Sequence, residues 1–395
     1  MRVNYGQTVH GEAEIAAVVD VLRSSTQMGR NVRAMQERVA KLFAKRHGIM
    51  VNSGSSANYL AVELLNLPQG SEVLTPALTF ATTVAPIVRN RLVPAFVDAA
   101  EATYNIDVGR MAEMISPRTR AVMIPSLIGN LPDWRRIREF ADAHDLLVVE
   151  DSADTLGATL NGQSTGVHSH ISTTSFYGSH VINAAGNGGM ICVNDDELAR
   201  RATLLRSWGR TSSLFVESEN IENRFNIDLD GFSYDAKFVF EELGYNVEPS
   251  EIGAAFGLVQ LDKLEANIAA RERNFQRQRE FFSAYEHWFI LPKQLQQART
   301  GWLAFPLTIR PDAPFSRRDM QIHFETSNVQ TRPVFTGNVL RQPAMRNVEA
   351  RTSASGYKVA DQVMRGGILL ACHHGLDDSQ IDYMHEVFRS FAAGY

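Results

Sequence analysis

Cysteine is nearly missing from this chain of 395 residues, with Cys192 and Cys372 the only two. Two thiols build neither a disulfide framework nor an iron–sulfur cluster, which needs about four. Long apolar runs are missing as well: no stretch approaches the roughly 20 residues that cross a bilayer, so no membrane role is expected. The opening MRVNYGQTVHGEAE lacks the apolar core of a signal peptide, and a cytoplasmic protein is expected. Positive charge is not in excess either. Lys and Arg number 39 against 44 Asp and Glu, a formal net charge of -5 that offers nothing to a nucleic acid through bulk electrostatics. Lysine itself is scarce, the six being Lys41, Lys45, Lys237, Lys263, Lys293 and Lys358. No repeat, low-complexity tract or metal-ligand cluster stands out.

What is present is an ordinary globular composition, 44% hydrophobic and 21% charged, long enough for a large domain and a smaller one. Apolar residues recur at helical spacing over 11–24 and 31–46. A short apolar strand at 49–51 then runs into Asn-Ser-Gly-Ser-Ser and a helix over 57–65. Strand, small polar turn and helix present free N–H groups and a helix dipole to an anion; the plain alternative is a helix capped by Ser55 or Ser56. Strands at 72–75, 93–97, 121–125 and 146–150 alternate with helices at 81–89, 108–114 and 134–144. That alternation predicts an α/β fold with a mostly parallel sheet, and ligands at the carboxyl ends of its strands. Polar residues fall at three such ends: 53–56, 150–154 and 175–180.

A helix over 195–207 closes the large unit. The polar segment 211–243 is too long for a plain connection. One helix over 250–285 then leads to strands at 302–309 and 368–371 and helices at 317–324 and 380–392. The expected division is a large domain, 1–245, and a linking helix with a smaller α+β domain, 246–395. Most distinctive is 172–193, STTSFYGSHVINAAGNGGMICV. Two apolar strands flank a histidine and a run of glycines. Glycine backbone lets a planar ligand come close, because no Cβ intervenes.

The succession SGSSAN, TPALTFATT, VVEDSADTLGA, TSFYGSH…GNGGM and GYNVEPSEIGAA resembles the DegT-type nucleotide-sugar aminotransferase and dehydratase family, over essentially the whole chain. The resemblance implies the three-layer α/β fold of the aspartate-aminotransferase type, a pyridoxal or pyridoxamine phosphate cofactor, and a homodimer with shared active sites. It implies that Gly54, Ser55 and Ser56, helped by Ser175, hold the cofactor phosphate, that Phe80 stacks on the pyridine ring, and that Asp151 pairs with the ring nitrogen. A carboxylate there keeps the ring protonated and able to accept electrons; the alternative for Asp151 is a helix N-cap. Asn246 is expected to reach the phosphate of the neighbouring subunit, although Glu248 stands where the family carries a basic residue.

Most of the family places at the position of His180 a lysine that bonds the cofactor and shuttles a proton. None of the six lysines falls in or beside the motif. An imidazole cannot form that bond, yet with an ordinary pKa of about 6.5 it can take a proton. The change resembles the family's 4-keto-6-deoxy sugar 3-dehydratases. It implies loss of the 3-hydroxyl from a nucleotide-diphospho-4-keto-6-deoxyhexose, with His180 as general base. Asp154, where aminotransferases usually carry Gln, leans the same way, as do Asn130 in Ile-Gly-Asn and the loop TRPVFTGN with Arg332 and Phe335. An arginine suits a diphosphate; a surface ion pair is its alternative. The segment SWGR…FSYDAKFVFEELGYN resembles a CDP-sugar member that carries an iron–sulfur cluster, but it has no cysteine. Pyridoxamine phosphate is therefore expected to be regenerated by an amino donor such as glutamate. Transamination of a keto sugar is the second reading. A non-catalytic cofactor-binding homologue is the third, and retention of Ser55, Phe80, Asp151 and Arg332 argues against it.

Overall fold

A computed structural model describes residues 1–215 and 219–395. Seven strands form the main sheet: His47–Val51 (β1), Glu72–Pro76 (β2), Val93–Val97 (β3), Thr119–Pro125 (β4), Leu147–Asp151 (β5), Ile171–Ser175 (β6) and Gly189–Val193 (β7). Their spatial order is β1-β7-β6-β5-β4-β2-β3. All run parallel except β7, which lies antiparallel between β1 and β6. Alternate residues of a strand face opposite sides, and both sides are covered here. Ile49, Val51 and Val149 pack under the helices Gly54–Leu64 and Asp196–Arg206. Met50 faces the helix Arg30–Leu42, and Val148 faces Trp134–Ala143. Burial on both faces explains why VPAFV and GMICV read as unbroken apolar runs.

A second, antiparallel sheet joins Phe289–Ile290, Ala304–Ile309, Gly367–Ala371 and Arg332–Pro333, in that order. Its core is aromatic, with Phe282 packed on Phe305 and Phe388.

Three segments differ from the sequence reading. The helix expected over 250–285 is two helices, Glu251–Asp262 and Leu264–Ser283, meeting at Lys263 with φ -98 and ψ -3. At this break the Lys263 ammonium reaches the fully buried Glu14 carboxylate of the helix Glu12–Ser24. Val108–Met114 is a 3-10 helix, and its buried Met111 and Met114 sit three residues apart, the repeat of that helix. The segment 211–243 contains a hairpin, Ile227–Leu229 with Phe232–Tyr234, and three short helical turns; residues 216–218 lie outside the described ones.

Candidate active site

A cavity of about 470 Å³ opens at the carboxyl ends of the parallel strands. Each strand delivers part of its wall. After β1 the chain turns into the helix Gly54–Leu64, whose N-cap is Ser53 and not Ser55 or Ser56. Ser53 Oγ accepts from the Ser56 N–H at 3.1 Å, and the Ser53 carbonyl accepts from the Ala57 N–H at 3.0 Å. Gly54 and Ser55 line the cavity, and their N–H groups have no partner among the described residues. Ser56 does not join them: its hydroxyl donates to Asn52 Oδ1 at 2.7 Å, in a neighbouring groove shared with Glu248. Gly54 has to be glycine, since a Cβ there would lie 2.6 Å from Ser175 Cβ. Ser175, the last residue of β6, is thereby pressed against the helix start.

Asp151 ends β5 and caps no helix. Its Oδ2 accepts from Asn58 Nδ2 at 2.7 Å and Thr83 Oγ1 at 2.8 Å, and its Oδ1 from the Ala153 N–H at 3.2 Å. Burial pushes its pKa up, against the pull of those three hydrogen bonds. No cation pairs with it among the described residues. The sequence reading missed Asn58 and Thr83. The signal was available: both are polar side chains buried where a helix meets the sheet.

Asp154 Oδ2 accepts from the Ile128 N–H at 2.9 Å. Ile128 pays for that aim with a left-handed backbone, φ 61, which a β-branched residue rarely adopts. Gly129 follows at φ 90, where a Cβ would meet the Trp302–Leu303 backbone at 2.8 Å. Burial, then the charge of Asp151, pushes Asp154 up to about 7.

His180 sits in the connection between β6 and β7. Its Nδ1–H donates to the Ser175 carbonyl at 3.2 Å, which leaves Nε2 unprotonated in the neutral ring, 3.6 Å from Asp154 Oδ1. Burial pushes the imidazole down to about 4, and the charge of Arg271 acts in the same direction. Arg271 is itself fully buried and donates to the Ser179 carbonyl at 2.9 Å, so it also fixes the histidine loop. No lysine lines the cavity among the described residues.

At the mouth Phe80 is 48% exposed and meets Phe335 edge-on, with ring centroids 5.5 Å apart. Phe335 also has a left-handed backbone, φ 43, in a loop that Thr336 Oγ1 ties to the Thr79 carbonyl at 2.6 Å. Arg332 is not among the lining residues; it is half exposed, its guanidinium 5.5 Å from the ring of Tyr5, which does line the cavity, and 3.9 Å from Glu325. Asn130 and Asn246, like Ser56, are expected residues that do not line the cavity. Asn130 is 1% exposed, and its Nδ2 donates to the carbonyls of Thr103 and Lys293, both at 2.8 Å. Its amide ties loops together and does not face the cavity. Asn246 is exposed, and its Oδ1 accepts from the Glu248 N–H at 3.4 Å.

Residues 9–389 match the DegT/DnrJ/EryC1/StrS aminotransferase family. The chain belongs to this family. Among similar proteins, a dTDP-4-dehydro-2,6-dideoxy-D-glucose 3-dehydratase of Saccharopolyspora spinosa is 35% identical, covering 98% of this chain and 86% of its own. A GDP-4-keto-6-deoxy-D-mannose 3-dehydratase of Escherichia coli O55:H7 is 28% identical, covering 98% of this chain and 100% of its own. The fold agrees as well. A crystal structure of GDP-4-keto-6-deoxymannose-3-dehydratase with a trapped PLP-glutamate geminal diamine superposes with a TM-score of 0.87 at 25% identity, covering 98% of this chain and 99% of that one.

Proposed function

We propose that the protein is a pyridoxamine-phosphate-dependent 3-dehydratase, removing the 3-hydroxyl of a nucleotide-diphospho-4-keto-6-deoxyhexose. One observation carries the reading: among the described residues His180, and no lysine, lines the cavity, with Nδ1–H pinned to a carbonyl and Nε2 free to accept a proton. Family relatives that act on 4-keto deoxy sugars as 3-dehydratases support it.

The residues present fit the cofactor. Asp151 is a buried carboxylate with no cation beside it among the described residues, suited to a protonated ring nitrogen. The unpartnered N–H groups of Gly54 and Ser55 at a helix N-terminus, with Ser55 and Ser175, suit a phosphate. Phe80 offers a ring face at the mouth. When bound, the cofactor supplies an amine for the sugar ketone and a protonated ring that draws off electrons.

This chain's part is binding and proton handling. Asp151 holds charge on the ring, and Asp154 sets the wall beside Nε2. His180 Nε2 accepts the proton. Arg332 and Phe335 receive the nucleotide sugar at the rim, where the arginine suits the diphosphate. Glutamate is the amino donor, in keeping with the glutamate adduct of the solved relative. The exposed aromatic hairpin and Asn246 face a second copy in a homodimer with shared sites. The large unit, 1–245, carries the cofactor and 246–395 the smaller unit. Among the described residues no helix is long and apolar enough to cross a membrane, and we place the protein in the cytoplasm, with its charged, soluble substrates.

Incubation with glutamate, cofactor and a nucleotide 4-keto-6-deoxy sugar tests the reading by mass spectrometry. Net loss of one oxygen atom from the sugar, with glutamate oxidised to 2-oxoglutarate and ammonia released, is the expected result. An amino sugar product overturns dehydration in favour of transamination, and a borohydride-fixed bond between cofactor and a lysine overturns the role of His180.

A further inference from the structure

The residues that precede the first helix are tied down at both ends. On one side the Val3 N–H donates to the Asn328 carbonyl and the Gln330 N–H to the Val3 carbonyl, both at 2.9 Å. The Tyr5 N–H donates to Gln330 Oε1 at 3.2 Å, and His373 Nε2–H donates to the Asn4 carbonyl at 3.1 Å. On the other side Thr8 Oγ1 donates to the Gly178 carbonyl at 3.1 Å. Gly6 lies so close to the histidine loop that a Cβ on it would fall 2.8 Å from Ser179 Cβ. Residues 3–8 therefore form a strap from the segment beside Arg332 to the loop that carries His180.

Tyr5 stands in the middle of that span. Its ring lines the cavity, 5.5 Å from the Arg332 guanidinium. Its hydroxyl is closed off from solvent and has no hydrogen-bond partner among the described residues. Buried hydroxyls are nearly always paired in folded proteins, so an orphan on a cavity wall marks a place where a ligand supplies the partner.

We infer that Tyr5 is a substrate-binding residue that donates its phenolic hydrogen to an oxygen of the bound sugar. The inference rests on the nucleotide-sugar reading above. With the diphosphate on Arg332 and the reacting carbon at His180, the sugar lies along the stretch between them, and Tyr5 is the polar side chain that the strap sets there. Burial keeps the phenol protonated well beyond its ordinary range. A group of that kind serves as a standing donor and not as an acid that gives its proton away. The strap thus makes the sugar site from residues remote in sequence from every cofactor motif.

Tyr5→Phe removes the oxygen and leaves the ring in place. The expected result is a rise of about tenfold in KM for the nucleotide 4-keto sugar, the worth of one neutral hydrogen bond, with a smaller change in kcat. Affinity for the nucleoside diphosphate alone, melting temperature, and the rate at which glutamate converts the cofactor, read by absorbance, should match the wild type. An unchanged KM overturns the inference. So does a loss of cofactor affinity or of the glutamate half-reaction, because the hydroxyl would then serve the cofactor. A wild-type protein that neither binds nor dehydrates any nucleotide 4-keto sugar overturns the reading beneath, and the inference with it, before the variant is compared.

Discussion

His180 and Asp154 lie 3.6 Å apart in one buried wall, and burial acts on them in opposite directions. It pushes the imidazole down to about 4 and the carboxyl up to about 7. Between those values both groups are uncharged. A base must be unprotonated to work, so the acid limb of kcat/KM should fall near pH 4, where an ordinary histidine would place it at about 6.5. An inflection near 6.5 contradicts the burial of His180. Above about 7 Asp154 ionises beside Nε2, and Asp154→Asn should erase that transition from the profile. His180→Asn should lower turnover by at least about 10²-fold while cofactor still binds. The same shifts act on stability with opposite signs. Below 6.5 the unfolded imidazole takes a proton that the folded one refuses until about 4, so His180 loses stability as pH falls through that window. Asp154 loses it as pH rises from 3.8 to about 7.

At the scale of elements, the helix Arg30–Leu42 begins at Gly29 without a side-chain cap of its own. Glu251, which opens the helix Glu251–Asp262, supplies one from a distance. Its carboxylate accepts from the N–H groups of Gly29, Asn31 and Val32 at 2.8, 2.7 and 3.1 Å, and it is 3% exposed. Glu251→Ala leaves those donors unpaired and should cost about 2–4 kcal/mol, measured by urea unfolding. Glu251→Gln, which keeps an acceptor oxygen, should cost less. The same helix supports the histidine loop, because Gly253 packs on the Ala184 carbonyl so tightly that a Cβ would lie 2.9 Å from it. Cofactor affinity should therefore fall along with stability in the alanine variant.

At the scale of the molecule, the segment 211–243 shows an unusual concentration of apolar side chains to solvent. Ile221, Phe225, Phe232, Phe238, Phe240 and Leu243 are 47–94% exposed. A monomer gains nothing from such a surface, which fits a face covered by a second copy. Sedimentation should show a dimer for the wild type and monomer for Phe232→Ser combined with Phe240→Ser. If the sites are shared, the double variant should lose activity as it dissociates and recover it at high protein concentration. A dimer that withstands both substitutions assigns this face another role.

Periodicity and the order of five motifs determined the layered fold, the cavity at the strand ends, and a histidine at the lysine position. These are local properties, written in residues close together along the chain. Tertiary structure alone decided the rest, because a hydrogen bond depends on distance across elements that the sequence does not order. It gave the helix cap to Ser53, turned Ser56 toward Asn52, and sent Asn130 to tie two loops at the carbonyls of Thr103 and Lys293. It broke one long helix at Lys263, where a buried Glu14 needed a partner. It also set Asp154 beside Nε2 and carried Tyr5 from the start of the chain into the cavity wall. The presence of a histidine in place of a lysine was legible in the sequence; its tautomer, its neutrality and the groups that surround it came from folding.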